Sequence, residues 1–262
     1  MSYQKYEGIP LQEGIVGLGR TGLVTRHHEN ALKIPRVYKN PHASLEEREI
    51  EEITKVLDNE KEVYLRLGNH DGIVRCINLS DEGIEMVYMK NGSLSQYLEL
   101  RKPPNHLVSQ WILQLAKTIL YAHSKCVILA DIATKNVLLD DNMSAKLCDF
   151  SDSAVVPLGS DMSQTLHYGL STQTDIFQFG SLIYETFERK PFKYDLLANE
   201  DVDALRLKSG DEDWQAFAIY PRPELLPNTE HLQLGHIILR CWMGAYRHMK
   251  EVYEDAAKEF PT

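Results

Sequence analysis

Short apolar runs separated by polar turns characterise the first part of the chain. Residues 23–25 and 31–34 are apolar or β-branched, and a polar stretch lies between them. Two further runs, residues 73–79 and 84–89, also enclose a polar turn. Runs of this length, bounded by turn residues, are typical of β-strands. The pattern therefore predicts a small sheet in the N-terminal part.

A charged stretch, residues 46–62, separates the two pairs of predicted strands. Leu57, Tyr64 and Leu67 recur within and after this stretch at helical spacing. Apolar residues at this period in a charged segment predict an amphipathic helix whose acidic face is solvated. The N-terminal part should therefore contain one main helix beside its sheet.

Helical periods dominate the chain after the loop signal at residues 91–92. One apolar set steps along a predicted helix by four and three positions: Val108, Ile112, Leu115, Ile119 and Ala122. Residues 231–259 predict two more helices, split near Gly244. Residues 208–227 are acidic and contain prolines, so they predict a loop.

Residues 176–187 predict a further helix. Thr172, with Asp175 three residues later, is the expected opening pair of this helix. Because the segment is apolar on nearly all sides, the helix should be buried at the centre of the helical part. A strand-rich part followed by a helical part predicts an α+β fold.

The composition of the chain indicates its cellular compartment and the classes of partner that it is expected to bind. The 262 residues carry a formal net charge of −10, so we expect neither nucleic acid nor a membrane surface as a partner. The four cysteines stand far apart, which argues against a disulfide framework. The first ten residues lack the apolar core of a signal peptide, and no run of about 18 apolar residues occurs. We expect a soluble intracellular protein, cytoplasmic or nuclear.

Gly17, Gly19 and Gly22 form a G-x-G-x-x-G motif, whose glycines allow a backbone to approach a polyphosphate closely. Dinucleotide-binding folds use the same spacing, but there the glycines lead into a helix, whereas residue 23 begins a strand here. Lys33 follows in the next strand, where its ammonium could reach under the glycine loop. A plain turn and a solvated lysine are the alternative interpretations of these residues.

Residues 127–139 and 146–151 contain Asp131, Asn136 and Asp149, spaced by five and by thirteen positions. These segments resemble the catalytic and magnesium-binding loops of protein kinases, which follow a glycine loop and a strand lysine in the same order. The resemblance spans about residues 14–255. It is greatest to small single-domain kinase-like proteins of filamentous fungi.

The resemblance implies a two-lobed α+β fold with a small antiparallel N-lobe sheet, one main N-lobe helix and a larger, mainly helical C-lobe. It implies a single protein kinase domain over residues 1–262. The expected N-lobe is about residues 1–89, the hinge about 87–91 and the C-lobe about 92–262.

The matched residues receive their expected roles from the family. Asp131 would accept the proton of a substrate hydroxyl, and Asn136 and Asp149 would bind Mg²⁺ through oxygen atoms. Lys135, four residues after Asp131, resembles the cation that tyrosine kinases direct at the γ-phosphate. Lys33 would contact the α- and β-phosphates.

A helix glutamate should hold Lys33 in place. Glu60 is the expected residue, with Glu62 and Glu52 as alternatives. The resemblance also gives a nucleotide-binding set, with Met86 in the gatekeeper position and residues 87–89 as the hinge: Gly17, Gly19, Gly22, Val24, Ala31, Lys33, Met86, Val87, Met89 and Leu138. A role in the core alone is the alternative for the apolar members of this set.

Several positions depart from the family pattern. Leu129 and Ala130 replace a histidine and an arginine, so no guanidinium precedes Asp131 to bind an activation-segment phosphate. Ser151 replaces a glycine that gives the backbone freedom to flip. The segment between Asp149 and Asp175 is short and lacks an alanine-proline-glutamate sequence, which argues against a full peptide-docking platform.

Three functions follow as hypotheses. The first is a protein kinase that uses ATP and Mg²⁺ and phosphorylates serine or threonine, with tyrosine not excluded. The second is a pseudokinase that binds nucleotide as a scaffold, and the third is a small-molecule phosphotransferase. We expect a monomer, and the sequence does not identify the protein substrate.

Overall fold

An antiparallel sheet forms the N-terminal part of the protein, for which the computed structural model describes residues 14–19, 22–36, 43–190 and 226–260. Its strands are β1 (Ile15–Leu18), β2 (Gly22–His27), β3 (Asn30–Pro35), β4 (Cys76–Leu79) and β5 (Ile84–Val87). They are arranged in the order β1-β2-β3-β5-β4. The first ten residues, the two middle positions of the glycine motif and most of the predicted loop at 208–227 lie outside the described residues.

The register of the strands places four predicted site residues on one face of the sheet. Val24 pairs with Lys33, and Ala31 pairs with Met86. Directly paired residues lie on the same face, as do alternate residues of one strand. Val24, Ala31, Lys33 and Met86 therefore share the face that turns toward the rest of the protein.

Both predicted strand runs in the second pair are shorter in the structure. Ile73 makes only an isolated bridge to Leu147 before β4 begins, and residues 88–89 lie beyond the end of β5. Strand β5 ends at Val87 because of its register with β3. Val87 pairs with Asn30, the first residue of β3, so β3 offers no partner for residues 88–89.

Helix α1 (Ala43–Leu67) confirms the predicted amphipathic helix. Leu57, Tyr64 and Leu67 are buried in the main core. Glu60 is also fully buried, whereas Glu52 and Glu62 are exposed. Because Glu60 lies three or four positions from buried residues, it shares their helical face.

The C-terminal part is mainly helical, as predicted. Its elements are α2 (Leu94–Leu100), α3 (Asn105–Ser124), β6 (Val127–Ile128), β7 (Val137–Leu139), β8 (Ala145–Leu147), β9 (Ala154–Val155), α4 (Thr172–Glu188), α5 (Gly235–Trp242) and α6 (Met249–Glu259). Strands β6 and β9 pair, as do β7 and β8. The final two helices flank Gly244, as expected. Among the described residues, none of the helices combines the length and apolar content needed to cross a bilayer.

Helix α4 is the buried helix predicted from residues 176–187, but its predicted opening pair is wrong. Ser171 and Thr174 form the capping box, each side chain bonding the other residue's backbone N–H. Asp175 has no part in this cap. Its carboxylate is fully buried and points toward the segment before Asp131.

Candidate functional site

One cavity of about 1250 Å³ separates the sheet from the helical part. Its lining includes every residue of the predicted site: Gly17, Gly19, Gly22, Val24, Ala31, Lys33, Glu60, Met86, Val87, Met89, Asp131, Lys135, Asn136, Leu138 and Asp149. Segments that are distant in the sequence therefore meet around a single space.

A three-residue ion cluster lies at the inner end of this cavity. Lys33 Nζ is 2.6 Å from Glu60 Oε2 and 2.6 Å from Asp149 Oδ1. Strand β3 supplies the lysine, α1 the glutamate and the turn after β8 the aspartate. Glu60 Oε1 also accepts a hydrogen bond from the Phe150 N–H at 3.2 Å. The cluster thus joins the sheet and α1 to the helical part.

Gly22 allows the Lys33 side chain to lie directly beneath the glycine loop. A Cβ atom added at Gly22 would lie only 2.7 Å from Lys33 Cε. Two ion pairs hold the Lys33 side chain in place, so its displacement would cost free energy. The third glycine of the motif is therefore required by the packing of the Lys33 side chain.

The three ionisable groups respond differently to their surroundings. Burial alone would lower the pKa of Lys33, but the carboxylates of Glu60 and Asp149 raise that pKa above its ordinary value. Burial raises the pKa of Glu60 even with Lys33 bonded. For Asp149, burial acts in the same upward direction, but Lys33 and Ser151 hold its pKa below the usual range. Asp149 is therefore the member of the cluster most firmly kept as an anion.

The hydroxyl of Ser151 belongs to the same cluster. It bonds Asp149 Oδ1, and Lys33 Nζ donates to it at 3.1 Å. Asp149 has left-handed backbone geometry, with φ of 61°, whereas Ser151 does not. A side chain is thus tolerated at residue 151, and its hydroxyl helps to hold the Asp149 carboxylate.

We expect Ser151→Ala to lower the free energy of unfolding by about 1.5–3 kcal/mol, since a hydrogen bond to a charged group is lost. Ser151→Gly should cost about 0.5–1 kcal/mol more, because glycine also adds backbone freedom. Urea unfolding of the three proteins measures both differences. Equal stability of wild type and Ser151→Ala would show that the hydroxyl contributes nothing to the cluster.

Asp131 lies across the cavity in the loop before a 3₁₀ turn (Thr134–Asn136). Lys135 Nζ lies 2.9 Å and Asn136 Nδ2 2.8 Å from the same oxygen, Asp131 Oδ2. The hydrogen bond to Asp131 raises the pKa of Lys135. Among the described side chains, all hydrogen bonds and ion pairs to this carboxylate involve Oδ2. Oδ1 can therefore accept a hydrogen bond from a hydroxyl group, or its proton.

Asn136 is oriented by its amide nitrogen, which bonds both the side chain and the backbone oxygen of Asp131. The amide oxygen is therefore the atom of Asn136 that could bind a cation. Together with the Asp149 carboxylate, it provides hard oxygen donors of the kind that Mg²⁺ prefers. Asn136 and Asp149 are therefore suited to bind a divalent cation such as Mg²⁺.

Asp175 is a site residue that the sequence interpretation missed. Its two carboxylate oxygens accept the backbone N–H groups of Leu129 and Ala130 at 2.9 and 2.8 Å. His123 Nε2 lies 2.8 Å from the same carboxylate. A carboxylate directly before the apolar run of a helix predicted to be buried was the available signal, because buried carboxylates require partners.

Part of the cavity wall is apolar. Met86 is 6% exposed and lies behind the space bounded by Val24, Ala31 and Leu138. A flat aromatic ring would find apolar walls there and the backbone groups of residues 87–89 at its edge. This arrangement fits the base of a nucleotide bound by the predicted set of residues.

An internal apolar contact lies behind the ion cluster. The rings of Tyr64 and Phe150 pack edge to face with centroids 5.0 Å apart. Leu129 is buried in the same core cluster. The leucine that replaces the family histidine therefore belongs to an apolar core.

Three relatives illustrate what the chain is similar to. A G-type lectin S-receptor-like serine/threonine-protein kinase of Oryza sativa subsp. indica is 29% identical over 138 residues, 44% of this chain and 17% of that protein. A probable LRR receptor-like serine/threonine-protein kinase of Arabidopsis thaliana is 27% identical over 236 residues, 80% of this chain and 24% of that protein. A serine/threonine-protein kinase-like protein of Arabidopsis thaliana is 30% identical over 152 residues, 50% of this chain and 44% of that protein. The chain thus spans less than half the length of each.

The family description "Protein kinase domain" matches residues 11–217 of the chain. The match contains the glycine loop, the ion cluster, the Asp131 loop and helix α4. It covers well over half of the sequence and agrees with the two-lobed α+β fold. On these grounds the chain belongs to the protein kinase family.

Proposed function

We propose that this protein is an ATP- and Mg²⁺-dependent kinase that transfers the γ-phosphate to a serine or threonine hydroxyl of a protein. The observation that carries the proposal is the cavity in which the Lys33–Glu60–Asp149 cluster faces Asp131 and Asn136. Phosphoryl transfer requires cations around the moving phosphate and an acceptor for the proton of the attacking hydroxyl. The site contains both.

Each residue has a defined task in the proposed reaction. The glycine loop and Lys33 would bind the phosphates of ATP, and Lys135 would add positive charge near the γ-phosphate. Asn136 and Asp149 would hold Mg²⁺, which neutralises phosphate charge when bound. Asp131 Oδ1 would accept the proton as the hydroxyl oxygen bonds to the γ-phosphorus, and ADP leaves.

The serine/threonine assignment is supported by the relatives, whose names include that specificity. Lys135 supports tyrosine instead, because it stands four residues after Asp131. The short segment between Asp149 and Asp175 supports a small-molecule acceptor, since it limits a peptide platform. Of these three acceptors, we propose the serine or threonine hydroxyl of a protein.

We propose that the whole chain forms one kinase domain, with lobes at about residues 1–89 and 92–262 and a hinge at about 87–91. All four cysteines are free thiols, two of them buried. Free thiols support a reducing compartment, so we propose the cytoplasm or the nucleus. We also propose that the protein is a monomer.

Assay of the wild-type protein with γ-labelled ATP and Mg²⁺ tests the proposal. Acceptors should include a protein mixture, peptide libraries and metabolite hydroxyls, with nucleotide binding measured separately by thermal shift. Label in serine or threonine of a protein would support the proposed kinase. Binding without transfer to any acceptor would identify a pseudokinase, and label in metabolites alone would identify a small-molecule phosphotransferase.

We expect activity to be independent of activation-segment phosphorylation. Ala130 stands where a guanidinium would bind such a phosphate, and a methyl group offers no charge or donor. The loop around Ala130 is instead held by Asp175 of α4. Phosphatase-treated and untreated protein should transfer phosphate at equal rates, and a large loss on treatment would contradict this expectation.

A further inference from the structure

Gln178 of α4 bonds the peptide groups on both sides of Asp131. Its Nε2 donates to the Ala130 carbonyl at 2.6 Å, and its Oε1 accepts the Ile132 N–H at 3.0 Å. A primary amide has the same donor and acceptor pair as a peptide group, so one side chain satisfies both backbone groups. Gln178 thus forms hydrogen bonds with the backbone immediately before and after Asp131.

The backbone before Asp131 adopts a conformation that needs such support. Ala130 has a φ of 64°, in the left-handed region that residues with a Cβ avoid. The Asp131 N–H then turns back to the Leu129 carbonyl at 2.9 Å. A strained, tightly turned segment persists only when its surroundings hold it in place.

Helix α4 supplies that support through two side chains. Asp175 accepts the N–H groups of Leu129 and Ala130, and Gln178 bonds the next two peptide groups. Residues three positions apart lie on one helical face, so both side chains reach the same loop. Together they fix the loop from Leu129 to Ile132 against a buried helix.

We propose that Gln178 is a positioning residue for Asp131 in the phosphate-transfer reaction. This inference rests on the proposed kinase function. Gln178 does not touch the carboxylate of Asp131. It fixes the backbone that carries this carboxylate, and so directs Oδ1 at the attacking hydroxyl without help from an activation-segment phosphate.

The test compares Gln178→Leu with Gln173→Leu. Gln173 lies on the same helix, and its amide bonds the Arg247 carbonyl at 2.9 Å, away from Asp131. Gln178→Leu should lower kcat by about 10- to 100-fold with KM for ATP unchanged, since a small displacement of a reacting group has this effect. Gln173→Leu should leave kcat near the wild-type value. Equal kcat values for the two variants would overturn the proposal.

Gln178→Glu tests whether the side chain at residue 178 must both donate and accept a hydrogen bond. It also provides a second test if Gln178→Leu does not fold. An ionised carboxylate can accept the Ile132 N–H but cannot donate to the Ala130 carbonyl. A protonated carboxyl can do both. The kcat of Gln178→Glu relative to wild type should therefore be low at high pH and recover as the pH falls, and a ratio that stays constant with pH would overturn the proposal.

Hydrogen exchange of the Ile132 amide separates this inference from the proposed function, because it requires no catalysis. Exchange should be faster in Gln178→Leu than in wild type and in Gln173→Leu. Equal exchange in all three would overturn the positioning of the loop. If exchange differs but wild type transfers no phosphate, the proposed function fails while the hold of Gln178 on the loop is supported.

Discussion

Asp131→Asn should reduce phosphate transfer by about 10²- to 10⁴-fold, the range expected when a general base is removed. The amide that replaces the carboxylate can still approach Lys135 and Asn136, but it cannot accept a proton. ATP binding should change little, because the α- and β-phosphates are assigned to the glycine loop and Lys33. Single-turnover rates with labelled ATP, together with thermal shift by nucleotide, measure the two properties separately.

Asp152→Asn is the matched control for this loss. Asp152 also lines the cavity and its charge acts on Lys135, so its substitution removes the same charge from the same space. Transfer should then fall by less than about tenfold, as expected for a residue that contributes charge to the site but does not accept the proton. Similar losses in both variants would indicate that Asp131 contributes charge and does not serve as the base.

The order and spacing of the motifs, through the family resemblance that they carry, were sufficient to predict the ion cluster and the Asp131 loop. Asp131 and Asn136 lie five positions apart in one short loop, and their side chains meet in the structure. Glu60 could be distinguished from Glu62 by helical phase, because it shares the buried face with Tyr64 while Glu62 points to solvent. Periodicity and spacing are properties that a sequence displays directly.

The contacts of α4 could not be predicted in the same way. Asp175 and Gln178 bond backbone groups of the Asp131 loop, and backbone groups are the same in every residue. No pattern of side chains therefore marks residues 129–132 as their partners. The left-handed backbone of Ala130 was equally hidden, because alanine gives no sign of positive φ.

Lys33→Met should strongly reduce transfer and also destabilise the protein. Loss of the cation removes charge stabilisation at the phosphates, which typically costs about 10²- to 10³-fold in rate. It also leaves Glu60 buried without its partner, and breaking a buried ion pair in this way costs about 3–5 kcal/mol. Chemical unfolding and the labelled-ATP assay provide the two measurements.

The destabilisation should depend on pH, because Glu60 can take up a proton. Burial already raises its pKa, and removal of Lys33 should raise that pKa further. A carboxyl whose pKa is higher in the folded state than in the unfolded state loses stability as the pH rises toward the folded-state value. The deficit relative to wild type should therefore be large near about pH 8 and should shrink toward about pH 5.

The double variant Lys33→Met/Glu60→Gln distinguishes lost charge pairing from lost packing. It removes the buried Lys33–Glu60 pair, and replacement of a whole buried pair by neutral groups is often close to neutral for stability. Asp149 also loses Lys33, but its side chain is 39% exposed and keeps its bond to Ser151. The glutamine oxygen can still accept the Phe150 N–H that Glu60 accepts now. Stability should thus return toward wild type and lose its pH dependence, whereas transfer should stay as low as in Lys33→Met, because no cation faces the α- and β-phosphates. If the double variant is as unstable as Lys33→Met, the lysine stabilises the fold through its packed side chain or its pair with Asp149, and the unpaired Glu60 carboxylate is not the cause.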